Sequence, residues 1–182
     1  MEELISRIIA DISKKKVQSY CKKILKKCSL KSKNDLDNII ILATWLYIYG
    51  YEDEACGVCD LLSEIVFTGN YDIWDRADYA ACLKARILRE KGIEQGREEL
   101  LRRVNEHRDP NLYPNTVDYY RKTINLNIER DDKYHPGKVY DFWRINKLIK
   151  AVEYREAGGY PIPDDELEQD IEELIKILGT VK

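Results

Sequence analysis

Apolar residues recur at spacings of three and four along almost the whole chain, and no stretch alternates apolar with polar in the manner of a strand. That pattern restricts the fold to packed helices. It predicts helices over 2–12, 15–28, 35–49, 52–67, 72–91, 94–108, 115–130, 138–157 and 164–179. Asn34, Asn70 and Asn115 are placed to cap helix starts, while Gly50, Gly92 and Gly158-Gly159 are placed to end helices. His135-Pro136-Gly137 and Tyr160-Pro161-Ile162-Pro163 interrupt the periodicity as loops. With only nine glycines and five prolines, the chain is rich in straight-chain residues that lose little rotamer freedom in a helix. The expected fold class is all-α, with about nine helices in one domain spanning 1–182. Basic N-terminal helices fill 1–33, helix pairs fill 34–108, and degenerate pairs fill 109–182.

The longest apolar run, "IIILATWLYIY" at 39–49, falls short of the roughly 20 residues a bilayer requires and reads as a buried core helix. No charged start followed by an apolar stretch marks a secretory signal. Five cysteines, an odd number, fit reduced thiols in the cytoplasm. The formal net charge of −3 hides an uneven distribution. Residues 1–33 hold ten Lys/Arg against three acids, a net of +7, and residues 34–182 hold twenty against thirty, a net of −10. From Ser13 to Lys33 there are nine lysines and no acid, whereas "DDELEQDIEEL" at 164–174 has seven acids and no base. Val17, Tyr20, Cys21, Ile24, Leu25 and Cys28 form one apolar face within the lysine-rich segment. Such a segment suits a membrane surface, a nucleic acid or a calmodulin-type target, but a solvated basic face on a packed helix is the favoured reading.

Residues 35–67 hold small and large apolar residues at Ile39, Leu42, Ala43 and Leu46, then Gly50, then Ala55, Cys59 and Leu62. This unit resembles a tetratricopeptide repeat (TPR). Residues 72–106 follow the pattern at Ala81, Ala85, Leu88, Gly92, Leu101 and Val104, but carry Lys84 and Arg97 where apolar or small residues belong. Ala151, Tyr154 and Gly158 begin a third unit that the proline-rich stretch at 160–163 interrupts. The resemblance implies stacked antiparallel helix hairpins in a right-handed superhelix, each completing its neighbour's core. It also implies a groove lined by the first helix of each repeat. The corresponding places are Asp37, Ile40, Thr44, Tyr47 and Ile48, then Tyr79, Cys82, Arg86, Arg89 and Glu90. Thr44, Tyr47, Arg86 and Arg89 are the expected partner-binding residues, because Tyr and Arg commonly anchor interfaces.

Cys56-Gly57-Val58-Cys59 has the spacing of a redox dithiol or half of a zinc site. A redox motif needs a preceding strand, and zinc needs a second ligand pair, but Cys21, Cys28 and Cys82 are scattered and only two histidines exist. Core packing is therefore expected, with no metal and no cofactor. "HRDP" at 107–110 matches letters of the protein-kinase catalytic loop, yet Pro114 stands where that loop needs Asn. Arg-x4-His occurs twice, as Arg102 to His107 and Arg130 to His135. This spacing is similar to that of the helical HEPN ribonucleases, which implies Arg holding a phosphate while His moves a proton.

The function expected from these readings is a non-enzymatic, TPR-like module that binds another protein. A specific variant is a bacterial immunity protein, whose acidic body covers a basic nuclease toxin. The alternatives are a metal-independent ribonuclease using Arg102, His107, Arg130 and His135, or a nucleic-acid binder acting through residues 13–33. Nucleic acid is the less favoured partner because the acidic body repels it, and no membrane association is expected.

Overall fold

The structure, a computed structural model, describes residues 14–63, 65, 70–94, 96–97, 138–156 and 164–181. Among these residues are six α-helices and no strand: α1 (Lys14–Leu25), α2 (Lys33–Ile48), α3 (Glu52–Ser63), α4 (Tyr71–Glu90), α5 (Lys138–Glu156) and α6 (Asp164–Val181). The all-α class holds for everything described. The helices expected at 2–12 and 115–130, and most of that at 94–108, lie outside the described residues. The chain divides into two compact units, Met1–Ala80 and Ala81–Lys182, and the division falls inside α4.

In the first unit α2 is the central element. Its cap is Ser32 rather than Asn34: the Ser32 hydroxyl accepts from the Asp35 backbone N–H at 3.4 Å, with Ser32 itself extended at φ −102°. The Asp35 carboxylate in turn accepts from the Ser29 N–H at 2.9 Å, so the loop before α2 is fastened to its first turn. Every residue from Leu42 to Ile48 is buried, along with Leu36, Ile39 and Ile40. The apolar run at 39–49 is thus a core helix with almost no outward side. It ends in a Schellman turn, in which Tyr51 N–H donates to Leu46 C=O at 2.8 Å and Gly50 N–H to Tyr47 C=O at 3.1 Å. Gly50 sits at φ +80°, where an L side chain is strained, and the chain turns directly into α3, which packs back on α2. A Cβ at Gly50 would meet nothing within 4 Å. Gly50→Ala is therefore expected to destabilise through the backbone alone, by about 1 kcal/mol, read as a lower urea midpoint with unchanged slope.

Asn70 caps α4 as the sequence predicts, its side-chain oxygen accepting from Ile73 N–H at 3.3 Å. Arg76 of α4 donates to Asp37 of α2 at 2.7 Å, and Gln18 of α1 donates to Glu54 of α3 at 3.1 Å. Val17, Cys21 and Ile24 turn the apolar face of α1 into this unit.

In the second unit α4 ends as α2 does. Gly92 lies at φ +68°, and Ile93 N–H donates to Leu88 C=O at 2.9 Å. α5 packs on α6, joined by an ion pair between Arg144 and Glu173. All nine residues from Ile145 to Glu153 are buried, although Asn146, Lys147, Lys150 and Glu153 are polar. Helical spacing puts Ile145, Leu148, Ile149 and Val152 on one side of α5 and Asn146, Lys150 and Glu153 on the other. α6 contributes Leu174 and Ile177 to the core.

Candidate functional site

The most concentrated charge chemistry among the described residues lies in the second unit, around one carboxylate. Glu153, on the polar side of α5, has a side chain with no exposure to solvent. One of its oxygens, Oε2, accepts from Arg89 Nη2 of α4 at 2.9 Å and lies 3.6 Å from Arg97 Nε. Its other oxygen is buried and accepts no hydrogen bond among the described residues. Two glutamates occupy the arginines further: Arg97 also donates to Glu94 at 3.2 Å, and Arg86 donates to Glu90 at 2.9 Å. Burial raises the Glu153 carboxyl above its ordinary range, opposed by Arg89, Arg97 and Arg86.

A carboxyl held above its ordinary pKa is what a general acid needs, but a general acid must also reach its substrate. Glu153 cannot, because its own arginines and the surrounding core enclose it. The cluster fastens the end of α4 and the 94–97 segment to α5, and that is its chemistry. Burying one carboxylate requires opposite charge at hydrogen-bond distance, and Arg89 supplies it.

Of the four expected partner-binding residues, two are misplaced by the groove reading. Thr44 has no exposure, and its hydroxyl donates to Ile40 C=O of its own helix at 2.9 Å. Tyr47 is 8% exposed. The reason is that α2 is covered all round from Leu42 to Ile48, so Ile40 and Ile48, also read as groove-facing, are core, while Asp37 is half-buried and paired with Arg76. Arg86 and Arg89 are half-buried on α4, and Arg89 belongs to the Glu153 cluster. Cys82 is core as well. Arg102, His107, Arg130 and His135 lie outside the described residues. Cys59 is buried and Cys56 half-buried on α3, and among the described residues no three His, Cys, Asp or Glu side chains gather as metal donors. The Cys21 thiol is pushed up to about 11 by burial and by Glu54, which leaves it protonated and unreactive at neutral pH.

A family profile matches residues 1–128 of the 182-residue chain. The chain belongs to the DUF6707 family. That family is one of unknown function. No curated protein and no solved structure matches the chain. The DUF6707 match takes in α1 to α4, with Arg86, Arg89 and Arg97, while Glu153 lies beyond it. The DUF6707 segment thus contributes the cations of the cluster and the C-terminal helices contribute its buried anion.

Glu153 was not singled out by sequence, and no local signal marks it. Its partner Arg89 is 64 residues away, and a buried polar stripe on a helix reads the same as an exposed one.

Proposed function

We propose that this chain is a non-enzymatic, TPR-like helical module of the cytoplasm that binds another protein without a cofactor. The observation that carries the reading is the pair of Schellman turns at Gly50 and Gly92, the first of which folds α2 against α3 as a closed hairpin. Two helix ends with the same hydrogen-bond pattern, 42 residues apart, are what a repeated hairpin unit leaves in a chain whose repeats have diverged. The acidic body, net −10 over 34–182, favours a basic partner, and a bacterial immunity protein covering a basic nuclease toxin is the specific form of the proposal. With Thr44 and Tyr47 in the core and Arg89 held by Glu153, the contact falls to the Arg86–Glu90 pair on α4, whose exposed carboxylate suits a basic partner.

Affinity capture from the source cell tests this. A single protein retained by wild type and by Lys176→Ala, but lost with Arg86→Ala at unchanged melting temperature, is the expected result. Equal retention by Arg86→Ala, or no retained protein, refutes the assignment.

A further inference from the structure

The turns at Gly50 and Gly92 put the chain in register with itself at an interval of 42 residues. At that interval Thr44, Tyr47 and Ala55 of the α2–α3 hairpin correspond to Arg86, Arg89 and Arg97. Thr44, Tyr47 and Ala55 are buried without charge. Their counterparts are three guanidinium groups gathered around Glu153 of α5.

The two sides of α5 are used differently. Ile145, Leu148, Ile149 and Val152 are buried on one side, and Arg144, one turn before Leu148, pairs with Glu173 of α6. That side belongs to the seam with α6, whose Leu174 and Ile177 are core. The other side carries Asn146, Lys150 and Glu153, and there Glu153 meets Arg89 at 2.9 Å and Arg97 at 3.6 Å. Among the described helices, close backbone packing joins α5 to α6 but not α4 to α5. The joint to α4 is thus held by charge, and polar joints between parts of one chain are the ones that move. Its closed form also carries a cost. Glu153 Oε1 is buried and accepts no hydrogen bond among the described residues, and opening returns it to water.

We infer that α5 and α6 form a hinged cap, latched over the end of α4 by the Glu153–Arg89 pair, which swings away as one piece and uncovers Cys82, Arg86 and Arg89. Helical spacing sets these three residues on one side of α4. The cap bears on the proposed partner contact, because Arg86 is one of the three, but the inference does not rest on that contact.

Cys82 has no exposure and Cys59, in the first unit, is 2% exposed, and both thiols are reduced. Alkylation by iodoacetamide, located by peptide mass, compares them, each rate being divided by that of the same thiol in the urea-unfolded chain. In wild type Cys82 is expected to react about tenfold or more faster than Cys59, because only the cap need open. Arg89→Ala weakens the closed form and should speed Cys82 labelling by about a hundredfold, with Cys59 still the slower. Arg89→Lys, which keeps the charge and loses the planar fork, should speed it by about fivefold. Labelling of Cys82 in wild type that is no faster than that of Cys59 overturns the inference, since both thiols then wait for global unfolding. Cys82 labelling that neither Arg89 variant changes also overturns it, since the thiol then opens without the latch.

Discussion

Arg89→Ala is expected to destabilise the protein by about 3–5 kcal/mol at neutral pH, whereas Glu153→Gln, removing the other half of the same pair, should be near neutral. The asymmetry follows from exposure. The Arg89 side chain is 30% exposed, and without its partner it can turn into water. Glu153 has no route to water, and Arg97, at 3.6 Å, is too distant to replace the lost hydrogen bond. The double variant Arg89→Ala/Glu153→Gln should recover most of the stability that Arg89→Ala loses. The pH dependence has a definite sign. Burial raises the Glu153 carboxyl above 4.5, so the folded chain holds this proton more tightly than the unfolded chain. Its contribution to stability is fully present below the ordinary carboxylate value and is lost as pH rises through the raised one. Removing Arg89 takes away the strongest opposing influence and extends that window upward. The deficit of Arg89→Ala against wild type should therefore be smaller at acid pH than at neutral pH. Urea titrations of the three variants decide the matter. A loss under about 1 kcal/mol for Arg89→Ala, or a double variant no better than the single, would show that the pair is incidental.

Tyr47→Ala should lower stability by about 3 kcal/mol, close to the loss from truncating a core aromatic. On the groove reading this variant would keep its fold and lose a partner. Tyr47 instead sits in the most enclosed stretch of α2, with Leu46 and Ile48 beside it. Ile41, half-buried on the same helix, provides the contrast, and Ile41→Ala should cost about 1 kcal/mol. Thermal and urea unfolding of the two variants measure the difference. A Tyr47→Ala protein as stable as wild type would return the residue to the surface.

The helices were legible where sequence and packing agree. The three- and four-residue spacing located all six described helices to within a few residues, and Gly50 and Gly92 marked their ends because a left-handed residue there admits almost nothing else. The cap of α2 was read two residues late, at Asn34, because Ser32 and Asn34 are both good caps and only the Ser29–Asp35 bond chooses between them. The groove failed for a different reason. Repeat register assigns one face of α2 outward, but past Asp37 the residues on that face are Ile40, Thr44, Tyr47 and Ile48, which are apolar enough to be covered and are covered. Glu153 was illegible because burial of a charge depends on a partner brought in from far along the chain.

A helix with almost no outward side has a consequence before the fold exists. Residues 39–49 contain neither charge nor proline and are rich in β-branched and aromatic side chains, which is the composition of a segment that pairs with copies of itself. Until its neighbours close around it, this run is the stickiest part of the nascent or heat-unfolded chain. Six lysines from Lys22 to Lys33 stand a few residues before it, outnumbering Asp35 and Asp37 between, and their mutual repulsion holds two such chains apart near the point where they would otherwise join.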